Sequence, residues 1–437
     1  METIIYAALL IVIAFLGSPL FAIIGAVALL AFNAAGIDTS AIIVEMYRLA
    51  SQPTLIAIPL FTFSGYLLAE SKTPQRLVAL SKALFGWIPG GLAIVVLVSC
   101  AVFTAFTGAS GVTIIALGGL LYPILIQEKY PEKFSLGLLT TSGSLGLLFP
   151  PSLPLILYSM VAANTRTVGG NIPDISIDKL FVAGIIPGTL LVIILSIYSM
   201  RQGKKSLMQT VPFSWEQLFI TVKNTMWEIP LPFIILGGIY GGLFTATEAA
   251  AVTAFYVFIV EVFIYRDLKL FTDVPRIMKE SMILVGAIIV ILGCAMGLTN
   301  YLIDEEVPMK LFSIIQQFIS SREVFLILLN IFLLIVGMMM DIFSAIIVVV
   351  PLIVPIATAY SINPVHLGII FLTNLEIGYL TPPVGLNLFM SSFRFEKPII
   401  QIIRAVLPFI AILLIALIAI TYIPGLSLWL VEVLKIN

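Results

Sequence analysis

The sequence predicts an all-α polytopic membrane protein made of two inverted repeats, each carrying a re-entrant hairpin and a broken helix. Three observations predict it. The 437 residues are 60% hydrophobic and only 10% charged, with a mean hydropathy of +1.16, where a soluble domain carries roughly 25% charged residues. Apolar runs of about 18 residues or more recur along nearly the whole chain, as membrane-crossing helices require. The chain also matches itself at an offset of 232 residues, which is a repeat signal.

The same composition excludes several functions. With 22 Lys+Arg against 23 Asp+Glu, there is no basic face for nucleic acid. Cys100 and Cys294 each sit inside an apolar run, so neither a disulfide framework nor a thiol metal site is expected. His366 is the single histidine. The chain has no phosphate-cradling Gly-x-x-x-x-Gly-Lys-Ser/Thr loop, no His-Glu-x-x-His pair and no Gly-x-Ser-x-Gly elbow. An enzyme or an ATP-driven pump is therefore not expected.

The first apolar run, 4–32, lacks a basic leader and exceeds a signal-peptide core, so it reads as a first span, interrupted at Gly17-Ser18-Pro19. Polar stretches then alternate in character. Those at 72–82, 127–133, 201–223, 266–279 and 394–404 are rich in Lys and Arg, whereas 33–51, 164–179 and 304–322 hold more acid, Asn or Pro. Positive-inside bias puts the first group in the cytoplasm and the second outside. Residues 87–126 then begin and end on the cytoplasmic side, and 324–360 on the outer side. Their centres, Thr104 to Gly111 and Gly337 to Asp341, are unlike lipid-facing helix. Non-helical backbone at that depth survives only where protein or water satisfies it, so both read as re-entrant hairpins.

At the 232-residue offset Pro123 falls on Pro355, Thr141 on Thr373 and Gly146 on Gly378. Pro150-Pro151 falls on Pro382-Pro383, and Ser159 on Ser391. Each Pro-Pro pair follows about 15 apolar residues and precedes about ten more. Proline removes a donor and clashes with the preceding turn, so each span becomes two half-helices. Hairpins opening from opposite sides make the halves inverted copies, the architecture of secondary transporters with a site near the midplane. Freed carbonyls at a break suit a cation, and the following helix start suits an anion. The expected division is scaffold helices in 1–86, hairpin 87–126 and broken helix 134–163 within 87–165, and connecting plus scaffold helices in 166–322. Hairpin 324–360 and broken helix 365–395 follow within 323–396, and 397–437 forms a C-terminal helix.

Several stretches resemble the large membrane subunit (M subunit) of the TRAP (tripartite ATP-independent periplasmic) transporters. They are Gly17-Ser18-Pro19-Leu20-Phe21-Ala22, 58–65 (IPLFTFSG), 147–158 (LLFPPSLPLILY), 183–188 (AGIIPG), 247–252 (TEAAAV) and 380–389 (LTPPVGLNLF). Six such pieces in order cover the chain essentially end to end. The resemblance implies an elevator-type, sodium-coupled importer of organic acids in a bacterial or archaeal inner membrane, with sodium as coupling ion and no organic cofactor. It implies two partners: a small four-helix membrane subunit on a separate chain, and a periplasmic substrate-binding protein that delivers a carboxylate. A stand-alone sodium/dicarboxylate symporter of the same inverted-repeat group is the alternative. In the first hairpin the family's Ser-rich tip is reduced here to Thr107-Gly108-Ala109-Ser110.

Sodium prefers oxygen ligands, by analogy with other hard cations. A first sodium site is expected from Thr107, Gly108 and Ser110 against Gly146, Phe149 and Pro150. A second is expected from Gly337 and Asp341 against Thr373, Gly378, Thr381 and Pro382. Asp341 has two readings, an ion-site carboxylate or an N-cap of the second hairpin arm, and Ser110 shares that ambiguity. Ser144, Ser152 and Asn387 flank the breaks and are the expected substrate contacts. Glu376 is read as paired or packed in the bundle or as directly involved, Glu248 as a helix cap, and His366 as an interfacial helix-end residue. Met338 to Met340 reads as packing, and Arg394 and Arg404 as cytoplasmic anchors.

Overall fold

The computed structural model describes residues 18–36, 38–88, 90–166, 172–205 and 212–436; most of the first apolar run, residues 4–17, lies outside them. Every regular element among the described residues is helical. Eight helices there are long and apolar enough to cross a membrane, or nine when one bent pair is taken as a single span.

The scaffold of the first repeat is α1 (Leu20–Ala34), α2 (Ala41–Ala50), α3 (Ala57–Glu70) and α4 (Thr73–Phe85). Its hairpin is α5 (Gly91–Thr107) and α6 (Ser110–Gln127), the latter carrying a π-turn at Ile114–Gly118. The broken helix is α7 (Glu132–Ser142) and α8 (Leu153–Ala163), joined by a tight turn at Leu145–Leu148 and bent by 46°. The connecting helices are α9 (Ile177–Lys205), α10 (Trp215–Asn224) and α11 (Pro230–Tyr240). The second repeat runs through α12 (Ala246–Ile264), α13 (Asp273–Asp304), α14 (Val307–Phe318), hairpin α15 (Arg322–Met339) and α16 (Ile342–Ala359), and broken helix α17 (Pro364–Gly378) and α18 (Leu386–Phe395). The last segment, expected as one helix over 397–437, is two, α19 (Ile399–Tyr422) and α20 (Gly425–Val433), divided at Pro424.

Local chemistry starts these helices where the sequence supplies an acceptor. Ser321, Asp341, Asn363 and Ser152 each accept a backbone N–H from the first turn they precede, which satisfies donors that have no helical partner. Thr245 and Glu248 form a reciprocal capping box at α12, the role expected of Glu248. His366 is in the first turn of α17 as expected, but it is fully buried rather than interfacial. Its ring nitrogens lie 3.1 Å from Ser427 Oγ and 3.2 Å from the Thr421 carbonyl oxygen.

The repeat is visible in three dimensions. Shifted by 232, the bounds of α6 become those of α16. The residues of α3 map into α13, and the two helices pack side by side. Glu70, at the end of α3, is 2.8 Å from Arg276 near the start of α13, so these copies run in opposite directions. The half-helices also cross between repeats. The Tyr158 hydroxyl of α8 donates to the Pro364 carbonyl of α17 at 3.0 Å, and Asn387 of α18 donates to the Thr140 carbonyl of α7 at 3.4 Å.

One cluster in the scaffold has no counterpart in the sequence analysis. Arg76 of α4 is ion-paired to Glu228, to Asp267 at 2.6 Å and to Glu261 at 3.1 Å, and its guanidinium lies 3.9 Å from the Tyr265 ring centroid. Removing the arginine would leave three carboxylates enclosed without it. Arg76→Ala is therefore expected to destabilise the fold by about 3 kcal/mol, read as a lower thermal midpoint of the purified protein; an unchanged midpoint would contradict this.

Candidate functional site

At the first hairpin, α5 lies directly on the break of the first broken helix. A Cβ on Gly146 would stand 2.2 Å from the Ala101 carbonyl oxygen and 2.5 Å from the Ala105 nitrogen, so only glycine admits this approach. Thr104 fixes the register, with its hydroxyl donating to the Gly143 carbonyl at 2.9 Å and paired with the Thr113 hydroxyl at 2.7 Å. Gly108 turns the chain with φ 65°, and Ser110, also buried, opens the second arm. Thr107 is buried, and its Oγ1 has no partner. The structure thus gathers Thr107, Gly108 and Ser110 in one tip beside Gly146. Pro150 is buried, in a cis bond to Pro151. The Phe149 ring turns away, against Gly188 of α9.

The second hairpin repeats the contact at the equivalent residues. A Cβ on Gly378 would lie 2.6 Å from both Cα and C of Gly337, so two backbones touch with no side chain between them. The Gly385 amide donates to the Met338 carbonyl at 3.0 Å, and the Ile342 amide donates to the Tyr379 hydroxyl. Asp341 is an N-cap: its carboxylate accepts from the Phe343 and Ser344 amides, each at 3.0 Å, and from the Ser344 hydroxyl. It is exposed. Gly337 and Gly378 therefore meet in one tip-to-break contact, and Thr381 and Pro382 follow Gly378 along the break. Thr373 stands apart: it precedes Gly378 by five residues, about 140° round the helix, and its hydroxyl donates to Ile369 at 2.7 Å.

The expected substrate contacts differ among themselves. The Ser152 hydroxyl is spent on the break, donating to the Leu147 carbonyl and accepting from the Leu155 amide. Ser144 donates to the Thr141 carbonyl at 3.4 Å. Asn387 is completely buried, and its Oδ1 has no partner. Two residues the sequence analysis did not select as contacts share that condition. Thr141 Oγ1 and Ser391 Oγ are buried and unpartnered too, the first beside Thr140, the second one turn beyond Asn387 on α18. The repeat pairing that placed Thr141 on Thr373 and Ser159 on Ser391 was the available signal. Glu376, in the last turns of α17, is fully buried with both carboxylate oxygens lacking a partner. No group of three or more His, Cys, Asp and Glu able to hold a metal ion occurs among the described residues.

Buried polar atoms are normally hydrogen-bonded. Among the described residues such unpartnered atoms lie on the first hairpin tip (Thr107), on α7 (Thr141) and on α18 (Asn387 and Ser391), and α7 meets α18 through the Asn387–Thr140 hydrogen bond.

The family model described as the DctM component of the tripartite ATP-independent periplasmic transporter matches residues 4–426. Among curated relatives, the C4-dicarboxylate TRAP transporter large permease protein DctM of Pseudomonas aeruginosa is 38% identical over 92% of this chain and 92% of its own length. The protein of that name from Rhodobacter capsulatus is 31% identical over 98% of both. The isethionate TRAP transporter permease protein DctMQ of Oleidesulfovibrio alaskensis is 33% identical, and this chain spans 58% of its length. In fold, the chain is similar to the Alcanivorax borkumensis YdaH transporter, with a TM-score of 0.63 over 90% of this chain and 13% identity. With matching motifs, two broken helices and a family match along nearly its whole length, the chain belongs to the DctM component family, the large permease subunits of the TRAP transporters.

Proposed function

We propose that this chain carries an organic anion, a carboxylate, across the bacterial inner membrane by sodium-coupled, elevator-type alternating access. A periplasmic binding protein delivers the substrate, and a small membrane subunit on a separate chain accompanies the permease. The observation that supports this reading most is the set of unpartnered buried atoms on Thr141, Asn387 and Ser391, carried by opposed half-helices that meet at the Asn387–Thr140 hydrogen bond, with a further one on Thr107 of the first hairpin tip. Relatives named for C4-dicarboxylate transport support the substrate class. Hydroxyl and amide oxygens with no positive side chain bonded to them among the described residues suit a hard cation beside the anion, because the cation would supply the countercharge.

The experiment is uptake of radiolabelled succinate into proteoliposomes holding this chain, the small subunit and the binding protein. An inward sodium gradient is expected to drive accumulation, and dissipating it to abolish the accumulation. Full transport by this chain alone would establish the stand-alone symporter instead. Asp341→Asn is the sharper probe, because asparagine caps a helix as well as aspartate does while removing the charge. It is expected to raise the sodium concentration for half-maximal uptake about tenfold, a loss of about 1.4 kcal/mol. Unchanged sodium dependence would leave Asp341 as a cap only.

A further inference from the structure

The helix α10 is built inside out. Trp215, Phe219 and Val222 recur at helical spacing, Met226 continues them in the turn just beyond the helix, and they stand 77%, 71%, 37% and 48% exposed, forming one apolar stripe that faces away from the protein. The small polar side chains of Thr221 and, at the helix end, Thr225 are the ones buried, each donating to a carbonyl of the preceding turn. At 10 residues the helix is far too short to cross a bilayer, and water would oppose the exposure of this stripe. Only an apolar medium alongside suits such a face.

The surroundings say which part of that medium. Trp87, Phe213 and Trp215 form an edge-to-face series, with ring centroids 6.4 and 4.9 Å apart. The end of α9 joins them, because a Cβ on Gly90 would lie 3.0 Å from Met200 Cα. Lys82 in the last turn of α4, Arg201 and Lys223 are all exposed, and none is in a salt bridge among the described residues. Lys204 and Lys205 follow in the sequence, against Glu216 as the one acid between Arg201 and Lys223. Aromatic rings with an excess of lysine and arginine are the chemistry of the headgroup region, and basic clusters there select anionic lipids.

We propose that α10 with the Trp87–Phe213–Trp215 rings is an interfacial anchor that binds anionic phospholipid headgroups through Lys82, Arg201 and Lys223. It holds the scaffold at a fixed depth in the bilayer, on the side where the basic stretches lie.

The test uses the full chain with Trp227 and Trp429 replaced by phenylalanine, so that Trp87 and Trp215 report. It is reconstituted in phosphatidylcholine vesicles containing either brominated phosphatidylglycerol or the same fraction of brominated phosphatidylcholine. Brominated phosphatidylglycerol is expected to quench at least about twofold more strongly, and the triple variant Lys82→Gln, Arg201→Gln, Lys223→Gln to quench equally with both lipids. High salt is expected to erase the difference in the unmodified basic set, which decides the matter even where the triple variant fails to reconstitute. Equal quenching by both lipids before any substitution, or no quenching by either, would overturn the proposal. Transport is not needed for the readout, so it stands or falls apart from the proposed function.

Discussion

Gly378→Leu is expected to abolish uptake and to lower folding stability by about 3 kcal/mol or more. The position of a Cβ there is 2.6 Å from main-chain atoms of Gly337 and 2.9 Å from the Met338 nitrogen. Backbone cannot rotate aside as a side chain can, so the hairpin tip must separate from the break. Separation would cost the hydrogen bond from Gly385 to Met338 and leave those groups unpaired at membrane depth. Even Gly378→Ala meets the same atoms, and its effect should exceed that of the same change at Gly286, where a Cβ has open space. The measurement is uptake in proteoliposomes beside the thermal midpoint of the purified protein. A Gly378→Leu protein with ordinary uptake would refute the tip-to-break contact.

The second large effect is expected at Asn387. Asn387→Asp keeps the shape of the side chain but places a carboxylate beside the carbonyl of Thr140, with no positive group in the described contacts. A negative charge in that position repels an organic anion across a short, poorly screened gap. Uptake should fall by about 100-fold or more, equivalent to about 2.7 kcal/mol. Asn387→Ala removes the donor without adding charge, and a fall of about tenfold is expected. Uptake by Asn387→Asp equal to that of Asn387→Ala would exclude anion contact at this residue.

Much of this arrangement was legible in the sequence because the determinants are local or periodic. Pro150-Pro151 and Pro382-Pro383 break their spans wherever they occur, and the 232-residue offset aligned hairpin with hairpin almost residue for residue. The capping reading of Asp341 follows from its place before Ile342, and the structure bears it out. What pattern could not supply is the outcome of long-range approach. Arg76, Glu228 and the Glu261–Asp267 turn come from three separate stretches, and nothing in their spacing announces a cluster. The hydroxyl of Ser152 and that of Thr141 look equally available on paper; one is consumed at the break and the other is left bare only by the neighbours each happens to have. Within the basic stretch 201–223 the charges mask the apolar period of Trp215, Phe219 and Val222 that makes α10 an amphipathic helix.

The crossing of half-helices between repeats has a consequence for biosynthesis. The first broken helix leaves the ribosome some 200 residues before α17 and α18, yet its Thr140 carbonyl and Tyr158 hydroxyl find their partners only on those later segments. Insertion of the early half thus runs ahead of its completion. Both of these hydrogen bonds can form only after the second half has been inserted.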